Sequence, residues 1–177
     1  MKKDLQDDTG LRSYLALMVI FVSLLVLMQF GWSNVRGTEL ERIFIDEITV
    51  KPAAWLIAHI TPGIPVHAIG SHLNAPGGGI NILNGCDGMD VVLLLAAAML
   101  VAPITIYQRV AGILTGSILV YLCNQLRILA LFYSYRTDKS LFSLLHGTIA
   151  PILLIVIAAA FFVLWLACNK RSLAVSA

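Results

Sequence analysis

Three side chains in this 177-residue sequence combine reactive chemistry with unusual positions: Cys86, Arg127 and His146. Cys86 stands between Asn84-Gly85 and Asp87-Gly88, at the mouth of a hydrophobic run and not within it. Cys123 and Cys168 lie inside apolar runs, where a thiol is usually a small core hydrophobe. Arg127 interrupts a hydrophobic stretch that Ile128 to Phe132 continue, and a charge there costs about 2.5–3.5 kcal/mol on insertion scales. His146 is the sole His, Lys, Arg, Asp or Glu between Ser140 and Asn169. A thiol, a fixed cation and an imidazole are the groups that nucleophilic acyl chemistry needs: an attacking sulfur, a stabiliser for the oxyanion and a proton carrier. Each also has a plainer reading. The cysteine could be packing, the arginine a snorkelling anchor for lipid headgroups, the histidine an interfacial ring capped by water. A helix N-terminus and Arg127 would lower the Cys86 pKa, while Asp87 and Asp90 would raise it, so the sequence leaves the net direction open.

The elements that must position these residues are hydrophobic helices. The chain is 59% apolar and 12% charged, against about 25% charged in soluble domains. That excess points to a membrane as solvent and to a single domain, 1–177. The net charge of +2 gives no reason to expect nucleic acid, and no P-loop, GxGxxG, HExxH or CxxC occurs. Three scattered cysteines make neither a disulfide framework nor a zinc spacing. A run of 23 uncharged residues separates Arg12 from Arg36 and ends in Gln29-Phe30-Gly31-Trp32, which is not a cleavage site. It reads as a retained anchor over 13–31. Further spans are expected over 88–108, 109–133 and 146–168.

Short segments holding Lys2, Lys3, Arg12, Arg109, Lys170 and Arg171 mark one side as cytoplasmic, with both termini inside. Residues 32–87 and 134–147 then form outer loops. In the long loop, Leu40, Ile43, Phe44 and Ile48 recur at helical spacing over 39–60, and the apolar piece 53–58 with Trp55 reads as interfacial or re-entrant. Pro62, Pro65, Pro76 and Gly77-Gly78-Gly79 predict irregular chain over 61–79. The expected fold is an all-α integral membrane protein: about four transmembrane helices plus a helical segment in a long outer loop.

Helical rise places the three reactive residues vertically. With the cytoplasmic charges as a floor, Cys86 lies 23 residues from Arg109 and His146 lies 24 from Lys170, each about 35 Å. Arg127, 18 residues from Arg109, lies about 27 Å up and would reach the same level by snorkelling. Asn124 shares its helix face.

The set Cys86-Asp87-Gly88, then Asn124-Gln125-Leu126-Arg127, then His146-Gly147 resembles the Cys, Asn-x-x-Arg and His blocks of the exosortase/archaeosortase family of membrane cysteine transpeptidases, over about residues 80–166. Where that family often carries a small hydroxyl residue after its cysteine, this chain has Asp87. The resemblance implies that Cys86 attacks a peptide bond near the C-terminus of a secreted protein at the outer face of the cell membrane. His146 would carry protons, Arg127 would stabilise the thiolate or oxyanion, and Asn124 and Asp87 would bind substrate or orient the catalytic groups. Implied partners are secreted substrates with a short motif, one transmembrane helix and a basic tail; no cofactor is implied. A metal site of His59, His67 and His72 with Cys86 matches no ligand spacing. The rival classes are a non-catalytic membrane scaffold or assembly factor and a small transporter subunit. The transporter would want mid-membrane polar residues, and the helices offer few beyond Thr115, Ser117 and Asn124.

Overall fold

A computed structural model describes residues 2–83 and 85–175 of the chain, with side chains over 14–83 and 85–169. The Lys2, Lys3, Arg12, Lys170 and Arg171 side chains used to set the cytoplasmic floor, and residue Asn84, lie outside the described part. Three helical stretches among the described residues are long and apolar enough to cross a membrane: Tyr14–Asn34, Ile106–Thr137 and Lys139–Asn169. The first belongs to α1 (Lys2–Asn34), which shows outward Leu15, Met18, Val22, Val26 and Leu27, a face suited to hydrocarbon.

The expected span over 88–108 is not one helix. Its helical part, α4 (Met89–Val101), has 13 residues and rises only about 20 Å. Pro103 is the cause: it offers no N–H, and its ring drives Ala102 to φ −63°, ψ 140°, outside the helical region. The chain restarts at α5 (Ile106–Thr137), where Thr105 and Gln108 form a reciprocal capping box. Arg109 donates to Ala102 O at 3.1 Å and closes the corner.

A second correction concerns the outer segments. The stretch 134–147 is no loop: α5 runs to Thr137, and Asp138 alone links it to α6 (Lys139–Leu144). The Asp138 carboxylate accepts from Ser140 Oγ and from Ser140 N and Leu141 N; the backbone bonds cap α6, and the hydroxyl bond with them holds its pKa below the usual range. The helix then continues through a π turn, Leu145–Ile149, into α7 (Ala150–Val175). The helical reading of 39–60 matches α2 (Glu39–Arg42), a π segment (Ile43–Val50) and α3 (Lys51–Ile60) in unbroken succession. Pro52 has no N–H to give the preceding turn, and Ile48 O there accepts from Tyr121 Oη at 2.9 Å. Gln125 Nε2 reaches Thr49 O at 3.4 Å, so α5 holds this segment by its polar side chains.

The segment expected to be irregular carries a small antiparallel sheet, which an all-helical reading leaves out. Its strands are β1 (His67–Ile69), β2 (His72–Asn74) and β3 (Ile80–Asn81), in the order β1-β2-β3. Ile69 pairs with His72 across the two-residue turn Gly70-Ser71, and Gly70 has φ 56°, a conformation that favours glycine.

Two cores result. The outer one packs Val50, Ala53 and Ile57 with Leu73, Ile80 and Ile82 of the sheet against Ile128 and Phe132 of α5. The other joins α4, α5 and α7 through Leu95, Met99, Val120, Leu154 and Ala158. Close approach in the second core depends on Gly112 and Gly116 of α5, one turn apart, where small residues let helices near each other. A Cβ on Gly116 would stand 2.7 Å from Phe161 and run into Leu95. Gly116→Val should destabilise the protein by about 1–3 kcal/mol through overpacking, read as a lower Tm in detergent. Gly31→Ala, with nothing within 4 Å of the added carbon, should leave Tm unchanged or raise it.

Candidate active site

Between the two cores α5 presents three inward polar groups, Asn124, Gln125 and Arg127, all buried. Gln125 faces the 39–60 helix, as described, while Asn124 and Arg127 turn to the chain between β3 and α4. Asn124 Nδ2 donates to Cys86 O at 3.0 Å, and Arg127 Nη1 donates to Gly85 O at 3.3 Å. These two bonds fix the backbone on either side of the thiol. The second guanidinium nitrogen, Nη2, lies 3.7 Å from Cys86 Sγ.

His146 approaches from the other side, with Nδ1 3.7 Å from the same sulfur. It does not head its helix, as the sequence suggests, but sits within the π turn two turns in. A π turn inserts a residue and re-aims the side chains beyond it, and such turns recur at functional sites. Phe142, one turn earlier, stacks on the imidazole at 5.4 Å and 10° between planes, which fixes the ring's plane. The structure therefore brings Cys86, Arg127 and His146 together around one sulfur atom. Thiol contacts of this length are loose, as resting catalytic contacts often are.

Asp87 does not touch the sulfur's partners. It is buried in the turn that carries Cys86, and among the described residues its Oδ2 has no hydrogen-bond partner. Burial and the neighbouring Asp90 push its pKa up, and the nearby backbone N–H groups of Asp87, Gly85 and Met89 offset only part of the rise. Gly88 follows with φ 83°, and a Cβ there would meet Asn124 Cγ at 3.1 Å, so glycine is needed for both conformation and space.

Electrostatics at Cys86 now have a direction. Burial pushes the thiol above its ordinary range; the Arg127 charge draws it down by less, and Asp87 adds to the rise. The resting group at neutral pH is a thiol, and it needs a base at the moment of attack. Iodoacetamide alkylation of Cys86 in the Cys123→Ala/Cys168→Ala background should therefore climb about tenfold per pH unit from pH 6 to 8.5, with no plateau. A preformed thiolate would instead give a flat profile over that window. Arg127→Gln should slow alkylation at fixed pH, because it removes the one lowering charge.

Cys86 and His146 line a cavity of about 130 Å³, walled by β3 on one side and by Ile128, Leu131, Tyr135 and Phe142 on the other. Arg127 lines a separate apolar groove of about 270 Å³ between α5 and α7, with Leu126, Ala130, Ile149 and Leu153. Cys123 packs at that groove and Cys168 lies exposed on α7, neither near the cluster's sulfur. Among the described residues no three His, Cys, Asp or Glu side chains gather as a metal site, and His59 is turned to Trp55 O at 2.8 Å.

The sequence reading missed Gln125, Tyr121 and Phe142. For Gln125 and Tyr121 a signal existed: polar groups in an apolar helix, spaced four apart on one face. Comparison with protein-family models, with curated proteins and with solved structures finds no match for this chain.

Proposed function

We propose that this chain is a membrane cysteine transpeptidase of exosortase type that cleaves C-terminal sorting signals of secreted proteins through a Cys86 thioester. One observation carries the reading: a half-buried thiol lies 3.7 Å from an imidazole and 3.7 Å from a guanidinium, at the end of a cavity. A scaffold has no use for that combination.

In the reaction, His146 takes the thiol proton as Sγ attacks the substrate's carbonyl carbon, and the carbonyl electron pair moves onto oxygen. Arg127 is suited to stabilise that oxyanion. Its described partners are an uncharged carbonyl and a thiol, so its charge is not spent on another anion there, and it is already in place. Collapse breaks the C–N bond; the departing amine takes the proton from His146 and leaves a thioester. An amine or other nucleophile then attacks the thioester carbonyl, passes its proton to His146, and the thiol is restored. Asn124 and Asp87 hold the backbone around Cys86 through this cycle.

The proposed setting is the cell membrane, multi-pass, with both termini inside and the site outward. The apolar groove under Arg127 suits a substrate whose cleaved bond lies just outside its own membrane helix. Alkaline-phosphatase and fluorescent-protein fusions at Asn74 and at the C-terminus test the placement. Asn74, in the sheet beside the site, should report outside and the C-terminus inside. Fluorescence at residue 74 would put the thiol in the wrong compartment and end the reading.

A further inference from the structure

Among the described residues the sheet next to Cys86 ends in an unpaired edge, and that edge borders the cavity. β3 is the last strand, with β2 on one side only. Ile82 N donates to Ser71 O at 2.8 Å, and Leu73 pairs with Ile80. In an antiparallel ladder the residue between two such pairs turns its backbone groups the other way. Asn81, opposite His72, therefore presents its N–H and C=O to the free side. Its neighbours Ile80 and Ile82 are buried in the outer core, while Asn81 is exposed, so the strand is anchored by one face and open at one edge. Arg136 Nη1 fixes the hairpin from α5 by donating to Pro76 O at 2.7 Å and Gly78 O at 3.4 Å. Gly79 to Ile82 form one wall of the cavity that ends at the Cys86 thiol.

Resting on the cysteine-nucleophile reading, we infer that the substrate segment beside the cleaved bond binds extended, as a strand added to the free edge of β3. Asn81 N–H and C=O are its backbone partners, and one small apolar side chain enters the cavity among Ile82, Ile128, Leu131 and Phe142. Strand addition gives affinity through main-chain bonds that any sequence can make, and leaves selection to the pocket. It also aligns a carbonyl for attack. A chain lying along β3 is carried toward Cys86, four residues beyond Ile82.

The probe is the full-length protein in detergent with benzyloxycarbonyl-Ala-Val-Ala chloromethyl ketone. Sγ displaces chloride to form a thioether, and the thiol proton leaves to solvent. Two analogues are each N-methylated at one inner peptide bond, and iodoacetamide serves as a reagent too small to span the edge. Occupancy of Cys86 is read by mass spectrometry. At least one analogue should label Cys86 about tenfold more slowly than the parent, as expected from losing a backbone hydrogen bond. Asn81→Pro, which deletes the edge N–H and no backbone bond to β2, should slow the parent to that level. Asn81→Ala, which shares its loss of the Ser71 Oγ bond to Asn81 Oδ1 and keeps the N–H, should not. All forms should react equally with iodoacetamide. Equal rates for the parent and both analogues on the unaltered protein would overturn strand addition while leaving the nucleophile in place. A Cys86 that no reagent labels would instead overturn the nucleophile, and strand addition with it.

Discussion

Cys86→Ser should reduce processing of a co-expressed protein with a C-terminal sorting signal below detection, a loss of about 10⁴-fold or more. A serine hydroxyl keeps the bond from Asn124 to the backbone and nearly the same volume, so the turn survives. What disappears is acidity. The thiol is already pushed above its ordinary range by burial, and a hydroxyl at that place is far beyond what a single imidazole can deprotonate. His146→Ala should cost about 10²–10⁴-fold by removing that base. Cys123→Ala and Cys168→Ala should process normally, since Cys123 packs at a groove wall and Cys168 is exposed on α7. The readout is the cleaved fraction at matched protein level. Loss from Cys123→Ala equal to that from Cys86→Ser would mean packing damage and not chemistry.

Arg127→Lys should also fail, by about 10²–10³-fold, although it keeps the charge. The guanidinium uses two different nitrogens for two tasks: Nη1 holds Gly85 O and Nη2 faces the sulfur. A lysine ammonium is one compact centre on a shorter reach and cannot hold both at those positions. The substitution also leaves a more strongly hydrated cation in a nearly closed space, so the side chain will turn toward water. The two effects separate by measurement. If only the charge mattered, Arg127→Lys would retain most processing, and Arg127→Gln alone would lose it.

Much of this was legible in the residues, for identifiable reasons. A cysteine beside glycine at a helix mouth, an arginine within an apolar run and a lone histidine are each costly or unusual enough to stand out. Helical rise then put them at one height, and the structure has them in contact with one sulfur. The interval from Arg109 to Cys86 is not continuous helix: the chain turns at Pro103, and Arg109 already belongs to α5. The helix expected over 88–108 stops at Val101, unforeseen because Pro103 is uncharged: a count of charges passes through it, whereas the backbone cannot. The sheet was hidden by the same glycines and prolines that shape its turns. Gly70-Ser71 between His67-Ala68-Ile69 and His72-Leu73-Asn74 is a hairpin signal that the loop composition masks. Phe142 stacking on His146 was beyond reading, because the two meet only if the helix starts at Lys139, seven residues before the histidine.

The proposed reaction stands or falls on a covalent acyl intermediate on Cys86. Intact-mass and peptide mass spectrometry of the protein, acid-quenched during turnover of a C-terminal sorting-signal substrate, tests it most directly. The expected result is an adduct equal to the substrate's amino-terminal fragment less water, on the peptide containing Cys86, released by neutral hydroxylamine and absent from Cys86→Ser. Substrate cleavage proceeding with no such adduct, or with the adduct on any other residue, would contradict it.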